Sequence, residues 1–363
     1  MPDSLLINLA VLFDKPTGIA TYASNVVESL RSLNPTLLTA KTSDRFKYYL
    51  IPNNLTPAQG SIGHFRRLVW TQWQLPRIYH QLNANLIYSP LPEAPIYSDC
   101  RHIVMCHDLI PLRFPKTTSP LTNYFRYIVP LVLEQAEHII CNSQATAKDL
   151  MNFYGISSSK ITPILLGYDA TNFYPRQSQV SCPYFLYLGR HDPYKNLHGL
   201  IAAFAALPRQ KDYQLWLVGS TDGRFTPKLR QQARELGIAE RVKFLDYVDY
   251  HELPAIISNA IALVFPTLWE GFGLPVLEAM ACGTPVITSN LASLPEITAD
   301  AAILIDPYRI AAITHAMQSL AEDHNLRSQL SNLSLQQAKN FSWARTGRET
   351  KLILEKYLLG ANN

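Results

Sequence analysis

A chain of 363 residues, 47% hydrophobic and 17% charged, carries enough apolar surface for roughly two packed cores, which excludes global disorder and makes two domains the first expectation. A formal charge of +4 over that length supplies no basic stripe to track a phosphodiester backbone and argues against nucleic acid as a partner. Five cysteines without a close Cys-x-x-Cys pair disfavour both a zinc site and a disulfide framework, and fit a reducing compartment.

The opening run Leu5 to Phe13 falls short of the ~20 apolar residues a membrane helix needs, lacks a basic leader, and is followed by Asp14 and Lys15. It predicts a buried first strand and a cytoplasmic protein. The amphipathic stretch Thr21 to Leu33 comes next, then the apolar runs Leu86 to Ser89 and His102 to Cys106, the stretch Tyr124 to Ala136, and the run His138 to Asn142. This is a βαβ rhythm with a mostly parallel sheet. Between Lys41 and Gly63 the pattern is polar and broken by Pro52, Pro57 and Gly60, which predicts a mobile loop. The segment Phe65-Arg66-Arg67-Leu68-Val69-Trp70-Thr71-Gln72-Trp73 could meet a membrane surface or a lipid-linked acceptor, although a packed helix with two exposed arginines explains it more simply.

Around Asp169 to Pro183 the periodicity lapses into linker-like sequence, which sets domains at 1–175 and 180–340. Beyond it, strands are predicted at Tyr184 to Leu188, Gln214 to Val218, Val242 to Leu245 and Ala262 to Phe265. They alternate with helices at Leu197 to Leu207, Pro227 to Leu236 and His251 to Asn259. Ligands of such open sheets bind outside the carboxyl ends of the strands. After the polar stretch Glu322 to Asn340, Trp343 to Leu359 reads as one amphipathic helix with no legible packing partner.

Four loops could carry chemistry. In the segment Trp269 to Gly283, Pro275 suits the first turn of a helix and Gly283 its end, so Gly271 and Gly273 precede a helix N-terminus that favours an anion. Glu270 and Glu278 could face one ligand from that loop and from one turn into the helix; a solvated Glu270 and a Glu278 that merely complements the helix dipole account for the spacing equally well. In Gly189-Arg190-His191-Asp192-Pro193-Tyr194-Lys195-Asn196, Arg190 can fork to two phosphate oxygens and Lys195 can add a compact charge, as a diphosphate requires. Two solvated cations in a turn are the rival view, which fails if this loop and the Glu270 loop share a sheet edge. Gly18, before Thr21 to Leu33, could cradle a phosphate or sugar or serve as a plain turn. The G-x-G-x-x-G fingerprint is absent there, which weakens a nicotinamide reading. His107, after His102 to Cys106, could bond a sugar hydroxyl or manage a proton near neutral pH, or be satisfied by a backbone carbonyl. The remaining histidines show no ligand spacing, so no metal is expected.

Together these segments resemble the retaining nucleotide-sugar glycosyltransferases of family 4 (glycosyl transferases group 1). The match is strongest from Tyr184 to Asp306 and extends in weaker form over Leu5 to Asp169. Glu270 and Glu278 match the family's E-x7-E motif, and Pro285-Val286-Ile287-Thr288-Ser289 with Leu294-Pro295-Glu296-Ile297 match the family segment C-terminal to that motif. The resemblance implies an α/β GT-B fold, with two Rossmann-like parallel-sheet domains facing a central cleft and the segment 344–363 crossing back to the first domain.

It implies roles as well. Arg190 and Lys195 resemble the pair that grips the donor diphosphate beside Gly189, Glu278 the residue that binds the ribose, and Glu270 a contact of the transferred sugar. The amides of Phe272, Gly273 and Leu274 would line the donor, and Tyr247, Val248 and Leu253 would edge its base. His107 matches the family histidine, Gly18 its glycine loop, and Ser143 a recurring serine. The loop glycine is single where many relatives have a pair. The implied activity is retaining transfer of a hexose, without a metal or other cofactor, from a nucleotide-diphosphate sugar to a glycan or lipid-linked acceptor. Similarity of Cys106 to Pro115 and Trp269 to Gly283 to mannosyltransferases favours GDP-mannose over a UDP-sugar. A GT-B epimerase, a phosphorylase and a non-catalytic sugar-nucleotide binder share the same cleft.

Overall fold

The computed structural model describes residues 4–12, 18–116, 119–176, 182–208, 213–246 and 248–359. The chain forms two compact units, Met1–Gly167 with Trp343–Asn363, and Tyr168–Ser342.

In the first unit, seven parallel strands lie in the order β3-β2-β1-β4-β5-β6-β7. They are β1 (Leu5–Asn8), β2 (Thr36–Thr39), β3 (Lys47–Leu50), β4 (Leu86–Ser89), β5 (His102–Cys106), β6 (His138–Cys141) and β7 (Ile161–Pro163). Every residue of β1, β4, β5 and β6 is buried, as in parallel sheets covered on both faces, and these strands are legible as unbroken apolar runs. β3 is the opposite case. As the edge strand it leaves its Lys-Tyr-Tyr-Leu sequence largely in solvent, and it occupies part of the stretch expected to be a mobile loop. The rest of that stretch winds through two short 3-10 turns into the helix Gly60–Gln81.

The helix expected over Tyr124 to Ala136 is two helices, Pro120–Tyr127 and Val129–Gln135. Pro130 has no amide to continue the first and sits in the opening turn of the second. Arg67 is not an exposed arginine. It is buried, with its guanidinium on both carboxylate oxygens of Glu93 at 2.7 and 2.9 Å and on the Leu55 carbonyl at 2.8 Å.

The terminal helix Trp343–Leu359 packs along the helix Gly18–Ser29. Gly347 permits this approach, since a Cβ there would lie 2.1 Å from Ser29 Oγ. Thr346 Oγ1 donates to the Leu165 carbonyl at 2.7 Å, and the Tyr357 hydroxyl meets His138 Nδ1 at 3.0 Å.

The second unit holds six parallel strands in the order β10-β9-β8-β11-β12-β13. They are β8 (Tyr184–Leu188), β9 (Gln214–Val218), β10 (Val242–Leu245), β11 (Ala262–Phe265), β12 (Val286–Ser289) and β13 (Ala302–Ile305). This is the doubly wound order, and it reverses direction between β8 and β11, where such sheets open a crevice at their carboxyl edge. The division between units falls at Gly167, ahead of the expected linker. Residues 168–176 belong to the second unit because Phe173 is buried against Tyr250 and Asn172 Nδ2 donates to the Tyr250 carbonyl at 2.9 Å. The polar stretch 322–340 is mostly helical, as the end of Ile310–Glu322 and the helix His324–Ala338, which Asp323 caps through the Leu326 amide. Among the described residues no disulfide joins any of the five cysteines, and no helix is long and apolar enough to cross a membrane.

Candidate active site

β8 and β11 are hydrogen-bonded neighbours running in the same direction, so the loops that leave them share one sheet edge at the reversal point. The view of two solvated cations in a turn fails for Lys195, which is nearly buried at that edge, while the Arg190 side chain is largely in solvent. The two loops are also tied to each other: the Tyr194 carbonyl accepts from the Leu268 amide at 2.7 Å and from Thr267 Oγ1 at 3.2 Å. Across this junction the Lys195 ammonium pairs with Glu270 Oε1, both side chains nearly buried. The same ammonium stands 5.1 Å from the centre of the Tyr194 ring and 5.3 Å from that of Phe265, where aromatic faces favour a cation.

Arg190 makes a different pairing. Its Nε bonds Asp192 Oδ2 at 3.0 Å, and its side chain is largely exposed. Its backbone is held because the Tyr187 hydroxyl donates to the Arg190 carbonyl at 2.8 Å. Gly189 makes room for that contact, with φ +141° and a position where a Cβ would lie 2.9 Å from the same hydroxyl. Lys195 is therefore held in a nearly buried pair, whereas the Arg190 side chain, paired with Asp192, is largely in solvent.

Gly273 caps the helix Leu274–Ala281 at φ +109°, and a Cβ there would meet Leu294 Cδ2 at 2.7 Å. The Val276 and Leu277 amides turn back to the Gly273 carbonyl, and Pro275 has none. The amides of Phe272, Gly273 and Leu274 thus sit at the open, positive end of the helix. Buried Ser293 fixes the loop by donating to the carbonyls of Glu270 at 3.1 Å and Phe272 at 2.6 Å.

Glu278 lies one turn into that helix, part-exposed at its surface yet deep in the surrounding protein mass. Desolvation, and after it the charge of Asp169, pushes its carboxyl up to about 8. At neutral pH it is therefore mostly an uncharged acid that can donate one hydrogen bond. Asp169 accepts from the Tyr250 hydroxyl at 3.1 Å, which sets the turn 248–253 beside this carboxyl. Val248 and Leu253 are part-buried on that turn, and Tyr247 lies outside the described residues.

In the first unit, His107 comes directly after β5. It is satisfied by a backbone carbonyl, with Nε2 donating to Pro90 at 3.0 Å, and Tyr22 stands edge-on to its ring at 5.0 Å. Burial lowers its imidazole to about 4, so His107 does not exchange a proton near neutral pH as the sequence allowed. It is a neutral ring whose Nδ1 carries a lone pair that can accept from a hydroxyl. Gly18 is the exposed first residue of the helix that bears Tyr22; residues 13–17 of its loop lie outside the described residues. Ser143 is buried, and its hydroxyl caps the helix Gln144–Tyr154 by accepting from the Thr146 amide at 3.0 Å. That bond gives it a structural role.

Sequence reasoning missed Thr267, Ser293 and Gly219. The first two are isolated small polar residues with no spacing signal. Gly219 at the end of β9 did leave one, a glycine closing an apolar run; a Cβ there would lie 2.1 Å from the Gly189 carbonyl oxygen, so the loop after β8 rests directly on it.

The family model described as Glycosyltransferase Family 4 matches residues 16–172, and that described as Glycosyl transferases group 1 matches residues 172–336. O-antigen chain mannosyltransferase B of Escherichia coli is 32% identical over 231 residues, which span 60% of this chain and 60% of that protein's length. O-antigen chain mannosyltransferase RfbU of Salmonella typhimurium is 26% identical over 315 residues, 84% of this chain and 87% of that protein. The crystal structure of Anabaena HepE in complex with UDP and glucose superposes with a TM-score of 0.76 at 19% identity, covering 98% of this chain and all of that one, which establishes the shared GT-B fold. With two matches that run without a gap from residue 16 to residue 336, the chain belongs to the group 1 glycosyl transferases, its first half to Glycosyltransferase Family 4.

Proposed function

We propose that this protein moves a hexose from a nucleotide-diphosphate sugar, GDP-mannose in the first instance, to a glycan or lipid-linked acceptor with retention of anomeric configuration. The observation that carries the reading is the junction of two loops at the reversal point of the second sheet, where Lys195 and Glu270 meet beside the helix that starts after Gly273. The bond to be broken joins the anomeric carbon to a diphosphate, so the barrier falls with stabilisation of negative charge on the leaving group. Lys195 exchanges its carboxylate partner for phosphate oxygens, Arg190 leaves Asp192 to fork onto them, and the amides of Phe272, Gly273 and Leu274 complete the cradle. Glu270, released from the ammonium, accepts from hydroxyls of the transferred sugar. Glu278 takes the ribose, with the backbone of Tyr247, Val248 and Leu253 along the base.

On the first unit, Gly18 and His107 contribute to sugar and acceptor contacts, His107 through Nδ1. No metal is needed in this scheme, since two side-chain cations and a helix end carry the counter-charge. A reducing, cytoplasmic setting is in keeping with cysteines that lack a close Cys-x-x-Cys pair.

The names of two relatives support mannose, and the HepE complex with UDP supports a uridine donor as the second reading. A thermal-shift panel of GDP-, UDP- and ADP-sugars distinguishes them, because a ligand bound to the folded state raises the melting temperature by mass action. GDP-mannose should give the largest rise, and transfer to an acceptor should persist in EDTA. A flat response to all three donors would refute the reading, and isomerisation of donor without acceptor would replace it.

A further inference from the structure

We propose that the outward face of the helix Gly60–Gln81 seats the protein on an anionic lipid surface. Ile62, Phe65, Val69 and Trp73 recur at intervals of three and four residues along that helix, and they are 63%, 66%, 44% and 66% exposed. Residues so spaced share one face. The opposite face is spent on the core, with Trp70, Leu75, Ile78 and Tyr79 buried. Four large apolar side chains aligned in solvent are unlike the scattered single residues of an ordinary surface.

The helix is held rigidly under this stripe. Arg67 is locked onto Glu93 and the Leu55 carbonyl, and Gln72 holds the neighbouring loop through the Ala94 carbonyl at 3.1 Å and the Ile96 amide at 2.9 Å. That loop leads to Tyr97, which is 80% exposed and adds an amphipathic ring of the kind enriched at membrane interfaces.

Charge selects the occupant. The helix contains no Asp or Glu, and Arg66 and Arg77 are exposed beside the apolar stripe. A second copy docking face to face would set these arginines against their own equivalents with no carboxylate on the helix to receive them. Lipid phosphates neutralise them while Phe65 and Trp73 enter the headgroup layer, the arrangement of an interfacial amphipathic helix. None of these side chains belongs to the donor site, so the docking surface and the transfer chemistry stand or fall separately.

The test is flotation of the full chain with vesicles of phosphatidylcholine alone and of phosphatidylcholine mixed with phosphatidylglycerol, at low and high salt. The protein should float with the mixed vesicles at low salt and much less with the neutral ones. Arg66→Gln with Arg77→Gln should weaken low-salt binding by roughly thirtyfold, about fivefold per arginine. Phe65→Ser with Trp73→Ser should remove binding at either salt. Both double variants should keep their melting temperature and their donor thermal shift, because the altered side chains are exposed. Failure of the unaltered protein to bind mixed vesicles would overturn the proposal, as would equal binding by both variants. Light scattering that finds a dimer in lipid-free solution, dissolved by the Phe65 and Trp73 changes, would assign the face to a second copy instead.

Discussion

Replacing Glu278 by Gln removes a proton-binding group whose burial has a calculable consequence. The carboxyl sits near 8 in the folded protein, against an ordinary value of 4.5. A carboxyl whose folded value is raised holds its proton more tightly in the folded state, so unfolding releases that proton at any pH between the two values. The contribution of Glu278 to stability is therefore lost as pH rises from about 4.5 to about 8, and the loss is complete above that range. At about 1.4 kcal/mol per unit, the difference of 8 − 4.5 corresponds to about 5 kcal/mol when complete and about 3 kcal/mol by neutral pH, both upper figures for a side chain that water partly reaches. Glu278→Gln keeps the shape and the hydrogen-bonding capacity of the neutral acid but has no proton to lose. Denaturant unfolding of both proteins across pH 5 to 9, without nucleotide, should find them nearly matched at the acid end and the variant progressively more stable toward the alkaline end. Subtracting one protein from the other cancels the titrating groups that do not interact with Glu278 and leaves its ionisation together with its coupling to Asp169 and Tyr250. A gap that stays constant with pH would mean that the carboxyl ionises normally, and the inference of a neutral acid at this position would be wrong.

Lys195→Met should lower transfer by roughly a hundredfold to a thousandfold in a steady-state assay, the range for removing one stabiliser of developing charge. It should also destabilise the protein by about 3 to 5 kcal/mol because Glu270 is left buried without its cation. Adding Glu270→Gln should restore the melting temperature but not the transfer rate; recovery of both would remove Lys195 from the chemistry. His107 lies near 4 where the ordinary value is 6.5, so its contribution to stability is intact above 6.5 and is lost as pH falls toward 4. His107→Gln should flatten that acid limb in unfolding measurements, and a pH-rate profile with a step assigned to His107 between pH 6 and 8 would contradict it. Gly273→Ala forces a Cβ onto Leu294 at positive φ and should cost about 1 to 3 kcal/mol of stability together with the donor-induced thermal shift. An unchanged melting temperature would show that the loop tolerates the methyl group.

The parts of the second unit nearest the site were legible because their signals are local. Tyr184 to Leu188 and Ala262 to Phe265 are uninterrupted apolar runs, and both are strands with the same limits in the structure. Pro275 inside the start of a helix and Gly283 after its end reflect backbone geometry that acts within a few residues. β3 escaped notice for the complementary reason: an edge strand exposed to water needs no apolar run, so nothing in Lys47–Leu50 marks it.

From the residues alone came the strand-loop-helix units, the two loops rich in charge and glycine, and their places at strand ends, since periodicity and turn chemistry are properties of neighbouring residues. Tertiary structure alone decided that Lys195 meets Glu270 from 75 residues away, that Asp192 takes Arg190, that Arg67 is buried while Arg66 is not, and that the terminal helix lies along Gly18–Ser29. Those outcomes depend on which strands become neighbours in a sheet and on where a missing Cβ lets two backbones approach, and contacts formed across such distances leave no pattern in the local sequence.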